Sequence, residues 1–344
     1  MSQVEYISTG TSITALECSN QRLRAKGSFM IRTGVLLGAV AGAFWGLVFL
    51  SPLVLESFSA LEIATGRFLM YGGISVILLA PSFLRIWQRL SLSDIGILMM
   101  LGALGNVLFF ALLAGSIQDV GIGPASLVVG MAPIVVTLLG RSDKETLPLS
   151  ALAGPLLCIV LGIFFINADA LQMAGEQSQS IGQSVRGLLM AFGALASWSL
   201  FTVLNARALK RRAEMSSGLW SSMIGVSAGL WALGLAAILW ITRSPSISAN
   251  AVPDGKDWLL FWVVSFGIGV GGSLIANMFW NGASRRLPIS LTGQVFVFEP
   301  VFALLYGFVY SSRLPRPMEA IAITMLVSGV LWAMNQYARK ARYS

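Results

Sequence analysis

The sequence predicts an all-α polytopic membrane protein with ten transmembrane helices in two inverted five-helix repeats. Three observations carry this. Of 344 residues, 56% are hydrophobic and only 11% charged, too few charges to cover a water-soluble domain of that size. Long apolar runs recur ten times, each near the roughly 20 residues that cross a bilayer. The second half of the chain also repeats glycines, prolines and tryptophans of the first. The runs are about twice the length of a barrel strand and do not alternate apolar with polar, so a β-barrel is a poor alternative. With no histidine and only Cys18 and Cys158, the chain lacks the soft ligands of a zinc, haem or iron-sulfur site, and a disulfide framework as well. We expect no cofactor and no metal centre.

Bounded by charged or turn residues, the runs of the first half are Thr33–Leu53, Glu62–Ala80, Ile95–Leu113, Ile122–Gly140 and Leu149–Ala168. Those of the second half are Gly187–Ala206, Leu219–Ile241, Leu259–Phe279, Pro288–Tyr310 and Glu319–Tyr337. The organisation that follows is a polar tail over 1–31, a first repeat over 32–168, a linker over 169–186, a second repeat over 187–338 and a basic tail over 339–344. The first tail has no apolar core of the kind a signal peptide needs. Met30, just before Ile31 and Arg32, is a second candidate translation start, which leaves open whether residues 1–29 are native.

Lysine and arginine resist translocation, so their distribution sets orientation. With the N-terminus inside, seventeen of the 23 fall in cytoplasmic segments, among them Arg22, Arg24, Lys26, Arg85, Arg89, Lys144 and the cluster from Arg207 to Arg212. Five, including Arg243, lie on the other side, and Arg67 lies within a span. Both termini are therefore expected in the cytoplasm, with the chain in a bacterial-type inner membrane. The net charge of +8 is then a topological signal and implies no nucleic-acid partner.

The repeat is visible residue by residue. Gly34 to Trp45 reads GVLLGAVAGAFW, and Gly187 to Trp198 reads GLLMAFGALASW. A constant offset of 167 then pairs Gly102 with Gly269, Gly105 with Gly272, Gly115 with Gly282, Pro133 with Pro300, Gly140 with Gly307, Pro148 with Pro315 and Gly162 with Gly329. Five spans per copy is an odd number, so the second copy enters the membrane upside down. Such an inverted repeat has a pseudo-two-fold axis in the membrane plane, and exchanging two conformations between its halves turns an inward-facing cleft into an outward-facing one.

These residues resemble the EamA-type ten-helix carriers of the drug/metabolite transporter superfamily over roughly Arg32 to Tyr337. The likeness rests on GAFWG at Gly42 to Gly46, GRF at Gly66 to Phe68, MAPIVVTLLG at Met131 to Gly140, FEPVFALLYG at Phe298 to Gly307 and LVSGVL at Leu326 to Leu331. The family often has an acidic residue just after the fourth and ninth helices. Glu145 fits the first copy, whereas Ser312 takes the second place. The resemblance implies a secondary transporter, more often an exporter than an importer.

Several residues stand out as candidates for transport. Glu299 lies about eleven residues into the ninth span, roughly 16 Å deep at 1.5 Å per residue. A bare carboxylate there costs several kcal/mol, so it is paired, protonated or turned to a wet cavity. It is either a proton-coupling or substrate-binding acid, or a structural one bonded to backbone near Pro300. Arg67, about five residues inside the second span, is shallow enough to snorkel outward. Alternatively it binds a substrate carboxylate or pairs with Glu299. Pro133 and Pro300 withhold a donor from the carbonyls of Val129 and Phe296, so both helices are expected to kink and expose backbone, a pointer to a midplane site. Gly34, Gly38, Gly42 and Gly46 recur every four residues as a close-packing face. Trp45, Trp198, Asn106, Asn205, Asn277, Trp280, Asn281 and Gln294 complete an aromatic, amide-rich lining, each with an interhelical hydrogen bond or an interfacial tryptophan as its structural alternative.

Together these readings give a carrier, not an enzyme, that moves a small organic metabolite (amino-acid-like, amphipathic or a drug) by alternating access. No Walker-type phosphate loop is present, so protons are the expected coupling ion if coupling exists. The bilayer is the surrounding partner, and the chain is a monomer or a homodimer. One alternative is a non-transporting membrane scaffold or sensor that docks through its polar tail and the basic loop at Arg207 to Arg212. An intramembrane enzyme ranks lower, since it needs a nucleophile and base at one depth and Glu299 is the one central acid.

Overall fold

A computed structural model describes residues 27–343 apart from 83, 85–87, 89, 144–145, 176–179, 213 and 243–252. The tail before residue 27 with Arg22, Arg24 and Lys26, the basic residues Arg85, Arg89, Lys144 and Arg243, the family-like Glu145, and positions 176–179 of the linker lie outside the described residues. Among the described residues, ten helices are long and apolar enough to cross a membrane. They are α1 Gly27–Val54, α2 Ala60–Ser82, α3 Leu92–Val120, α4 Ile122–Leu139, α5 Leu149–Ala168, α6 Ile181–Arg211, α7 Ser217–Thr242, α8 Gly255–Arg286, α9 Ile289–Tyr310 and α10 Pro317–Ala341. No strand occurs among the described residues.

Each apolar run falls in one helix, but several helices outrun their runs. The third reaches Val120 instead of Leu113, and the sixth begins at Ile181 instead of Gly187. Hydropathy marks the lipid-crossing core, whereas helices end where backbone donors find caps. Ser59 with Glu62, Ser91 with Asp94, Ser180 with Gln183 and Asp254 with Asp257 form reciprocal capping boxes that start α2, α3, α6 and α8. Gly121 alone joins α3 to α4, at φ 82°, a left-handed conformation that glycine adopts without steric cost.

Two departures from regular helix recur at matched positions. Residues Ala103–Val107 of α3 and Val270–Ile275 of α8 form π-helical segments, 167 positions apart. α4 is interrupted at Gly130 and Met131, just before Pro133, and α9 at Phe296 and Val297, just before Pro300. At the second break the carbonyl of Phe296 is not left exposed as expected. It accepts the Glu299 N–H at 3.1 Å, because a tightened turn satisfies locally what the proline withholds.

Three pairs of repeat mates pack directly on each other: α2 on α7, α4 on α9 and α5 on α10. The pseudo-two-fold axis runs through these contacts. α1 lies along α9 with its glycine face: a Cβ added at Gly38 would meet Val295, at Gly42 the backbone of Phe298 and Glu299, and at Gly46 that of Phe302 and Ala303. The stripe is a packing face for the broken helix.

The end of the bundle that carries the chain termini is closed. Val136, Val203, Ala206 and Ile289 bring α4, α6 and α9 into one apolar plug. Thr137 Oγ1 donates to the carbonyl of Ser290 at 3.4 Å. The Tyr337 hydroxyl bonds Ser290 Oγ and accepts the Leu147 N–H, tying α10 to α9 and to the start of α5. Arg285 donates to the carbonyls of Leu209, Arg212 and Met215. Arg212 donates to the Asp94 carboxylate, and that hydrogen bond raises the pKa of its guanidinium.

Candidate functional site

The centre of the bundle is aromatic. Trp45 of α1 and Trp198 of α6 sit at the same position of the two repeats, and their ring centroids are 5.5 Å apart. Trp280 lies 5.2 Å from Trp45 and 6.0 Å from Trp198. Phe296, at the break of α9, lies 4.7 Å from Trp198 and 6.2 Å from Trp45. Phe109 and Phe201 flank Trp198 at 5.3 and 5.2 Å. All three tryptophans are buried, so none is an interfacial anchor. Edge and tilted contacts of this kind match the ring quadrupoles.

Arg67 does not snorkel. It is buried, its Nε donates to Ser273 Oγ at 2.8 Å, and its Nη2 donates to the carbonyl of Gly272 at 2.5 Å. Both acceptors belong to the π-helical segment of α8, where altered backbone register frees a carbonyl for a side chain. The guanidinium also lies over the rings of Phe68 and Phe110, at 5.1 and 4.9 Å. Phe110 stacks edge-on with Phe109, which links the arginine to the tryptophan cluster. Nη1 has no hydrogen-bond partner among the described residues.

Glu299 occupies the first turn of the second half of α9, where the helix dipole favours a carboxylate. The residue is half-buried, and its carboxylate makes no hydrogen bond to a described residue. It feels the charge of Arg67, yet the two form no contact ion pair. Its repeat mate, 167 positions earlier, is Ala132, and α7 has no basic residue to mirror Arg67. Acid and base are therefore unique to one side of an otherwise duplicated site.

The amides divide into two groups. Trp220 Nε1 donates to Asn205 Oδ1 at 2.8 Å, and Asn205 Nδ2 donates to Asn281 Oδ1 at 2.9 Å. That chain joins α6, α7 and α8 and consumes Asn205. Asn277 is buried, and the nearby Tyr71 hydroxyl donates to the carbonyl of Ser221 at 2.6 Å. In contrast, Asn106 Nδ2, Trp280 Nε1, Asn281 Nδ2 and both amide atoms of Gln294 are buried without a partner among the described residues. Buried polar groups normally find partners, so these are the groups with binding capacity to spare. Tyr71, Ser273, Phe109, Phe110 and Phe296 were not singled out from sequence. For Ser273 a signal existed, since it is the repeat mate of Asn106.

Ten helices duplicated about an axis, with one aromatic and charged centre, define the class of internally repeated membrane transporters. Residues 32–168 and 185–335 match the EamA-like transporter family, one copy in each half. The chain belongs to that family, within the drug/metabolite transporter superfamily. It is 29% identical over 315 residues to "Inner membrane protein YtfF" of Escherichia coli strain K12, covering 90% of this chain and 97% of that protein. It is 23% identical over 237 residues to "Uncharacterized transporter YyaM" of Bacillus subtilis strain 168, covering 68% and 71%. A solved crystal structure aligns with a TM-score of 0.67 at 18% identity, over 90% of this chain and 98% of the other, which shows the shared fold.

Proposed function

We propose that this transporter is a secondary carrier that moves a small amphipathic organic compound, amino-acid-like or drug-like, by alternating access. The supporting observation is the meeting of the repeat-matched Trp45 and Trp198 in the bundle centre, near one acid and one base without counterparts. The ring faces receive the apolar body or cationic group of a substrate. Glu299 takes an ammonium or a proton, and Nη1 of Arg67 takes a carboxylate. Residues 32–168 and 187–338 are the two moving units, and 169–186 joins them. The breaks in α4 and α9 let both units bend at one level.

In this reading the sealed end is one of two states, and the basic residues gathered at that end support a cytoplasmic location for it and for both termini. The relative named as an inner membrane protein supports a bacterial inner membrane. Export is the direction that the family resemblance favours, with protons the coupling ion.

The test is counterflow in proteoliposomes loaded in turn with amino acids, nucleosides, sugars and cationic drugs. Saturable exchange of an amphipathic amine or amino acid, reduced by Trp45→Ala, is expected. Absence of exchange across the panel, with correctly folded protein, refutes the reading and favours a scaffold or sensor.

A further inference from the structure

A concave site lies on the outer face of α10 at the closed end, and none of Trp45, Trp198 and Trp280 lines it. It has a volume of about 700 Å³ and is lined by Ser328, Leu331, Trp332, Asn335, Gln336 and Arg339, with Leu147 at its rim. We infer that this cleft binds one anionic phospholipid, phosphate at Arg339 and acyl chain running toward Ser328.

Polarity along the cleft sets that direction. Eleven residues separate Ser328 from Arg339, about 16 Å of helix at 1.5 Å per residue. Arg339, Gln336 and Asn335 cluster at the end where α10 leaves the apolar region, and Leu331 and Trp332 lie deeper. That order matches a headgroup above a hydrocarbon tail. Arg339 is exposed, with no ion pair or hydrogen bond to a described residue, and the same holds for the amides of Asn335 and Gln336. A cation and two amides facing one cleft offer several donors to a phosphodiester and its glycerol. The floor is built for the purpose: the Trp332 ring fills the space left by Gly154 of α5, where a Cβ would lie 2.4 Å from it.

The two repeats have diverged here. At the matched positions of α5 stand Leu161, Phe164, Phe165, Ala168, Asp169 and Gln172. That set of sequence positions holds an acid and no base, so the phosphate site belongs to one side of the membrane.

The test uses the full chain in phosphatidylethanolamine vesicles doped with a phosphatidylglycerol that carries a photoactivatable acyl chain. Labelling of the 328–339 segment is expected, with Arg339→Gln lowering it about fivefold, the effect of one basic residue near an anionic leaflet, and Arg339→Lys retaining most of it. Arg313→Gln, at the opposite end, leaves it unchanged. Equal labelling by a choline-headed analogue, or indifference to Arg339→Gln in a variant of unchanged helicity and elution, overturns the inference. Displacement by inorganic phosphate assigns the site to the free ion and overturns the lipid. Cross-linking of position 335 to a second copy in place of lipid overturns it too.

Discussion

Trp45 and Trp198 are the same residue of two repeats, and they meet edge to face, with ring planes at 79° and centroids 5.5 Å apart. Helices related by inversion thus touch through their most bulky matched side chains. Under the proposed alternating access, a change of conformation between the repeats would alter this contact, which would then couple the two halves beside the proposed substrate surface.

The first prediction concerns that coupling. Aromatic pairs contribute about 0.5–1.5 kcal/mol beyond area burial. In a double-mutant cycle on unfolding from detergent micelles, Trp45→Ala and Trp198→Ala should show a coupling energy of that size. Trp45→Phe should retain most transport. Strict additivity of the two alanine variants contradicts the contact.

The glycine stripe of α1 gives a prediction with a built-in control. A Cβ at Gly42 would lie 2.7–2.9 Å from Phe298 and Glu299 atoms, whereas one at Gly73 meets nothing within 4 Å. Gly42→Ala should destabilise by about 1–3 kcal/mol through overpacking. Gly73→Ala should be neutral or stabilise by up to about 1 kcal/mol through helix propensity. Chemical unfolding of both variants checks the contrast.

Arg67 and the Asn205 chain separate transport from stability. Arg67→Lys keeps a charge but not the fork that reaches Ser273 and Gly272. Loss of one charge-assisted hydrogen bond, about 1.5–3 kcal/mol, should slow counterflow about tenfold or more while the chain stays folded. Asn205→Leu leaves Trp220 Nε1 and Asn281 Oδ1 without partners, and should cost about 1–3 kcal/mol of stability with substrate preference unaltered. A changed preference in Asn205→Leu contradicts its structural assignment.

Glu299 gives the coupling prediction. If its carboxylate exchanges a proton during the cycle, Glu299→Gln should give folded protein whose counterflow no longer varies between mildly acidic and neutral pH. A pH profile identical to that of the unsubstituted protein removes the coupling role.

Much of the fold was legible because burial in lipid demands continuous apolar runs, and all ten spans show that demand. The Leu149–Ala168 run begins where its helix begins, and that helix continues to Gly175. Helix ends such as Ile181 were not legible, since a capping serine, here Ser180, extends a helix beyond its apolar core. Hydropathy is also blind to backbone register, so the π-helical segments at Ala103–Val107 and Val270–Ile275 went unseen although paired glycines mark both. Within the site, Trp45, Trp198, Trp280 and Glu299 announced themselves by residue type. The partners of Arg67 did not, because Ser273 and the carbonyl of Gly272 become acceptors only once α8 folds against α2.

The most direct measurement of the central claim is a reversible lock on the closed end. Thr137 and Ser290 meet there across α4 and α9, so Thr137→Cys with Ser290→Cys, in a chain lacking Cys18 and Cys158, can be bridged by a short cleavable thiol cross-linker. With the bridge in place, counterflow should stop, and cleaving it should restore exchange. Transport at an undiminished rate through the bridged protein contradicts alternating access about this axis.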